Sequence, residues 1–172
     1  MLILGVDPGS LRTGYGAIWS DGRAHRLLEC GVIAPSPRLA LPARLHLIAE
    51  GLRQTLSRLQ PQAMAVEDLF HAVNVRSALV LGHVRGVVLL TGAEAGIPIY
   101  AYSPATVKAQ VTGYGRAEKT QVALMVGHHL AGLHPGQASD ATDALAVALC
   151  HAHQLLAPVA QDPSLPVRGR RP

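Results

Sequence analysis

Leu2-Ile-Leu-Gly-Val-Asp7-Pro8-Gly9 opens the chain as a short apolar run that ends on an acid and a turn pair. Thr13 to Trp19 is a second run of the same kind, and Leu27 to Ala34 a third after Asp21-Gly22. Three runs joined by connections this short predict an antiparallel meander. The period then changes. Leu41, Leu45, Ile48, Leu52, Leu56 and Leu59 recur at steps of three and four, with Arg44, Glu50, Arg53 and Arg58 between them. That spacing predicts an amphipathic helix with one face on a core, ended near Pro61. Ala63 to Glu67 reads as a short buried strand, Asn74 to about Ala95 as a long helix, and Ile97 to Tyr102 as a fifth strand. Helices are predicted over about Ser103–Thr112, Glu118–Leu130 and Ser139–Ala157. The order implies an α/β fold: one mixed five-stranded sheet with helices on both faces.

A chain of 172 residues fits one domain, and with 49% hydrophobic against 15% charged residues it is expected to pack rather than stay disordered. Aromatics are only 3%, so the core has to come from Leu, Val, Ile and Ala. A net charge of +4 permits a polyanionic partner without demanding one. Cys30 and Cys150 have no motif spacing and read as buried thiols of a reducing compartment, not as a disulfide or a zinc site. The N-terminus is too short and too acidic for a signal peptide. The apolar stretch from Val87 is broken by Glu94, Gly96 and Pro98, so no membrane span is predicted and a cytoplasmic location is expected. From Pro158 the chain carries four prolines and three arginines. Residues 1–157 are therefore read as the folded domain and 158–172 as a flexible basic tail.

Four acids fall where this order would gather them. Asp7 ends the first strand, Glu67 ends the fourth, and Asp140 and Asp143 open the last helix. Neighbouring strands lie about 4.8 Å apart, so carboxylates at adjacent strand ends can share a site. Residues three apart on a helix are about 300° apart in rotation, which leaves Asp140 and Asp143 on one face. Hard oxygen donors converging in this way suit Mg²⁺ or Mn²⁺. Two such cations about 4 Å apart suit in-line phosphodiester displacement. Plainer roles are open to each acid: Asp7-Pro8-Gly9 is good turn chemistry, and Asp140 and Asp143 could complement the helix dipole behind a Ser139 cap.

These residues resemble the RuvC family of crossover junction endodeoxyribonucleases, over roughly residues 2 to 155. The elements that carry the likeness are Gly5-Val-Asp7-Pro-Gly-Ser10 with Thr13-Gly-Tyr-Gly16, Val66-Glu67-Asp-Leu-Phe70, and Ser77-Ala-Leu with Gly82-His-Val-Arg-Gly86. Val107-Lys108, Ala117-Glu-Lys119 and Asp140-Ala-Thr-Asp143-Ala-Leu-Ala146 complete the set. The resemblance implies an RNase H-like fold, a homodimer, and Mg²⁺-dependent symmetric nicking of four-way (Holliday) junction DNA in recombination and repair. Two Mg²⁺ per site are implied, with Mn²⁺ as a substitute, and work alongside the RuvA and RuvB proteins.

By the same resemblance, Asp7, Glu67, Asp140 and Asp143 fall on the family's metal-binding catalytic acids. Lys108 and Lys119 fall on its functional lysines, and Phe70 on an aromatic near the junction centre. Arg76, where some members carry an acidic residue, is read here as a further DNA contact. Phe70 is the chain's only phenylalanine, and a ring beyond a strand end can stack on an unpaired base. Ala78, Leu79, Gly82, Gly86, Val87 and Leu90 line one apolar surface of the long helix. Part of that surface is expected to pack against a symmetry mate, since a two-fold dimer suits a junction cut at two symmetric points. His128, His129, His151 and His153 read as surface residues. Two other readings stay open: an RNase H-type nuclease acting on RNA–DNA hybrids with the same acids, and a junction-binding protein without activity. An actin-like ATPase is disfavoured, because the chain is short for two lobes and has no second Gly-rich phosphate loop.

Overall fold

A computed structural model of the chain describes residues 1–68, 75–133 and 136–156. The meander forms as the turn signals require: β1 (Leu2–Asp7), β2 (Thr13–Ser20) and β3 (His25–Ile33) pair antiparallel. After helix α1 (Leu41–Leu59), strand β4 (Ala63–Glu67) returns parallel to β1 with Val66 opposite Val6. Helix α2 (Val75–Glu94) crosses to β5 (Ile99–Tyr102), which pairs parallel with β4. Helices α3 (Pro104–Thr112) and α4 (Lys119–His129) follow, then β6 (Leu130–Ala131) and α5 (Ser139–Leu156). The sheet order is β5-β4-β1-β2-β3-β6.

Strand alternation sorts the core into two layers. Leu4, Val6, Ala17, Met64 and Val66 face Ile48, Leu52 and Leu56 of α1 and Val84 and Val88 of α2. Ile3, Ile18 and Ala65 face the other way, against α5 together with Val107 and Val111 of α3 and Val122 and Val126 of α4. Local chemistry sets the ends of the elements. Ser103 caps α3 by accepting from the Thr106 amide at 3.1 Å, and Pro104 follows at the first turn. Gly113 closes α3 in the left-handed region at φ 79°. Pro61 stops α1 behind Gln60.

The sheet has six strands among the described residues, not five. β6 is two residues long and pairs with His25 and Arg26 of β3, too short to leave a period in the sequence. β5 starts at Ile99 rather than Ile97, because Pro98 has no amide to donate and Ile97 still bonds back to the Gly92 carbonyl at the end of α2. Cys150 is buried, but Cys30 is only partly so, with its thiol 3.4 Å from Gln137 Oε1. His151 is buried, not on the surface: its Nδ1 lies 2.6 Å from the Tyr102 hydroxyl, and Tyr100 packs on its ring. α5 is sandwiched between the sheet and α3–α4, so positions on both its sides are internal. His153 and His129 are partly covered, and their rings meet edge to face.

One side of α2 stays open. Val75, Leu79 and Leu90 are 78%, 61% and 54% exposed, and a Cβ built on Gly82 or Gly86 would meet nothing within 4 Å. By length and composition α2 is, among the described residues, the one helix that could cross a membrane. Its inner side, with Val84, Val88, Thr91 and Gly92, belongs to the core.

Candidate active site

Strand parity delivers the first two acids. Ile3 and Gly5 point to the α5 side of β1, so Asp7 does too; Ala65 does so on β4, and Glu67 follows it. Because β1 and β4 are parallel and in register, their two terminal acids end abreast. The other two acids arrive with α5, which sits unusually close to the sheet. A Cβ on Gly5 would lie 2.0 Å from the Ala144 carbonyl oxygen, and one on Gly14 would lie 1.9 Å from that of Asp140. Only glycine lets the backbones of β1 and β2 meet the helix backbone at that distance. The first two turns of α5 are thereby seated on β1 and β2, which brings Asp143 close enough to act on both Asp7 and Glu67.

Crowding of negative charge governs the electrostatics. Burial, then the Asp143 carboxylate, pushes Asp7 up from 3.8 to about 6, with Asp140 adding to the effect. Burial, then Asp7, pushes Glu67 up from 4.5 to about 7. A hydrogen bond joins the two side chains, lowering Asp7 and raising Glu67. The pair therefore holds a shared proton near neutrality, with Glu67 donating to the Asp7 carboxylate. The other two acids are balanced by cations. Lys119 Nζ lies 2.5 Å from Asp143 Oδ2, a hydrogen bond that raises the lysine above its ordinary value. Arg12 Nε donates to Asp140 Oδ2 at 2.7 Å.

Among the described residues no three metal-type donors are already closed on one point. Each acid is instead turned to a proton, a lysine or an arginine. The donor set still fits hard dications: it is all oxygen, partly desolvated, and holds more negative charge than it can ionise unaided.

The remaining predicted residues lie at different distances from this centre. Arg76, exposed at the start of α2, lines a shallow cavity of about 370 Å³ with Ser10, Ser77, Val80 and Leu81. Ser10 belongs to the loop directly after Asp7, so Arg76 stands at the rim of the site. Lys108 is half-buried on α3, and among the described residues nothing joins it to the acids. Phe70 lies outside the described residues. Two basic residues join the site without a signal in the sequence. Arg12 holds Asp140, and Arg44 of α1 donates to the Ser10 carbonyl at 3.1 Å, pinning the same loop. The glycine seats under α5 are likewise additions, although Gly5 shares the parity of Asp7 and is readable from the first strand.

A mixed sheet in this order, with acids at two central strand ends and on the covering helix, defines an RNase H-like protein. The family model for crossover junction endodeoxyribonuclease RuvC matches residues 3–151, and the chain belongs to that family. The RuvC of Desulforamulus reducens is 45% identical over 88% of this chain and 93% of its own length. That of Chloroflexus aggregans is 44% identical over 89% of this chain and 93% of its own. Among solved structures, Thermus thermophilus RuvC in complex with a Holliday junction substrate superposes with a TM-score of 0.85 at 37% identity, covering 90% of this chain and 94% of that one. The yeast mitochondrial Holliday junction resolvase Ydc2 shares the fold, with a TM-score of 0.63 at 14% identity over 88% of this chain and 77% of that one.

Proposed function

We propose that this chain is a structure-selective endonuclease that resolves four-way DNA junctions by paired, symmetric phosphodiester hydrolysis in recombination and repair. The observation that carries this reading is the meeting of Asp7, Glu67, Asp140 and Asp143 at one end of the sheet, in a chain 45% identical to a RuvC over most of its length. Asp7, Glu67, Asp140 and Asp143 would hold two Mg²⁺, with Mn²⁺ as a substitute. Such ions, when bound, supply activation of the attacking water and stabilisation of the leaving oxygen.

The chain's own residues prepare the rest. Glu67 gives up to solvent the proton it shares with Asp7, so that both present carboxylates. Lys119, released from Asp143 as that acid turns inward, offers its ammonium to the phosphate under attack. Phe70, Arg76 and Lys108 contact the DNA beyond the scissile phosphate, Phe70 by stacking near the junction centre. Two sites are needed for two nicks, and the open apolar side of α2 supplies a two-fold interface for a homodimer. Residues 1–157 form the nuclease domain, and the basic tail 158–172 follows it. The protein works in the cytoplasm on chromosomal junctions, with RuvA and RuvB as partners.

The test is a labelled synthetic four-way junction incubated with protein and Mg²⁺, beside linear duplex and an RNA–DNA hybrid. Paired symmetric nicks on the junction, lost with EDTA and in Asp7→Asn, are expected. Preferential cutting of the hybrid, or binding without any nick, would overturn the reading.

A further inference from the structure

Two cations of the chain itself already meet the acids: Lys119 lies on Asp143 and Arg12 on Asp140. Lys119 sits inside the cluster, since its charge also lowers Asp7 and Glu67. Arg12 differs. It comes from the loop before β2, and its guanidinium is the nearest cation to Asp140 at 2.7 Å. We infer that Arg12 is a positioning residue that competes with a divalent cation for the Asp140 carboxylate and so sets how much cation the site needs. This rests on the metal reading proposed above.

Both backbones that bear the pair are held still. The Asp140 carbonyl is seated on Gly14, two residues after Arg12. The loop itself is clamped by the Thr13 hydroxyl, which donates to the Gly9 carbonyl at 2.7 Å, and by Arg44 on Ser10. Only side chains are left to choose. The Asp140 carboxylate gives Oδ2 to Arg12 while its charge already acts on Asp7, so it stands between the loop and the site. A cation recruiting the fourth acid must therefore either displace Arg12 or share the carboxylate with its positive charge, and both weaken its hold. The arginine side chain is about half exposed, so it has solvent to move into, and its contact with Asp140 is a single one through Nε. The penalty it imposes is that of an exposed ion pair, a small factor in affinity rather than a block.

The experiment titrates Mg²⁺ against the thermal midpoint of DNA-free protein, for wild type, Arg12→Ala and Arg53→Ala. Arg53→Ala removes the same charge from an ion pair with Glu94 that joins α1 to the end of α2. In Arg12→Ala the Mg²⁺ concentration at which the midpoint begins to climb is expected to fall about threefold to fivefold, while Arg53→Ala stays at the wild-type value. An unchanged or higher onset concentration in Arg12→Ala overturns the inference and leaves the metal reading standing. An equal fall in Arg53→Ala overturns it too, by showing a general charge effect. If wild type itself shows no Mg²⁺-dependent shift, the metal reading fails and the inference falls with it.

Discussion

Replacing Asp7 by Asn is expected to end cleavage and, in the absence of metal, to make the protein more stable. In the native chain the Asp7 carboxylate is buried beside Asp143, Asp140 and Glu67, and its ionisation is pushed from 3.8 to about 6. A folded-state value above the unfolded one means that folding binds protons, so stability falls as pH rises between the two values. Well below pH 3.8 both states are protonated and the penalty is absent. Above about pH 7, where Glu67 has also begun to ionise, the penalty is complete. The gap between 3.8 and about 6 corresponds to about 3 kcal/mol, at 1.36 kcal/mol per pK unit. Asparagine keeps the shape and a hydrogen bond to Glu67 while removing the charge. At roughly 2–4 °C per kcal/mol for a chain of this size, Asp7→Asn should melt up to about 6–12 °C higher at pH 8 in EDTA. The gain should shrink to a small fraction by pH 4. Saturating Mg²⁺ should raise the wild type far more than the variant, because ligand binding to the folded state alone adds stability. Differential scanning fluorimetry across pH 4 to pH 8, with and without EDTA, reads all of this. A variant no more stable than wild type at pH 8, or equally more stable at pH 4, would refute the charge-crowding account.

Three further outcomes follow from the same geometry. Gly14→Ala drives a methyl into the Asp140 carbonyl and should destabilise the fold by about 1–3 kcal/mol; single-turnover cleavage should drop more than the unfolded fraction explains, and full activity would count against the seating of α5. Lys119→Ala removes the cation on Asp143 and should slow single-turnover cleavage about 10²-fold, while junction affinity by gel shift changes little. Leu79→Glu puts a charge on the open side of α2 and should shift the protein toward monomer in sedimentation velocity, with paired nicking replaced by single nicks.

Particular residues show why some of this is legible in the sequence and some is not. The run from Leu2 to Asp7 carries its own two-residue period, so the direction in which Asp7 points is written in the positions of Ile3 and Gly5. The acids can be grouped from the order of the elements because each stands at the end of one, and ends are what turn signals and helix periods mark best. Of the cations that balance them, Lys119 opens α4 and is carried by the family likeness, whereas Arg12 leaves no such mark. Arg12 reaches Asp140 across 128 positions, and Lys119 reaches Asp143 from a helix whose placement depends on the whole α3–α4 layer. A surface-looking arginine has no period and many possible partners. The two-residue β6 escapes for the same reason, since a strand that short is made by its neighbour β3 and not by its own pattern. His151 reverses the error: a polar residue reads as exposed, but on a helix covered on both sides by apolar layers a histidine can be internal once Tyr102 binds one of its nitrogens. What local sequence encodes here is the set of carboxylates, because each stands at the end of an element that its own pattern marks. What it leaves to tertiary structure is the counter-charge, which any cation within reach can supply and which a bound dication would replace.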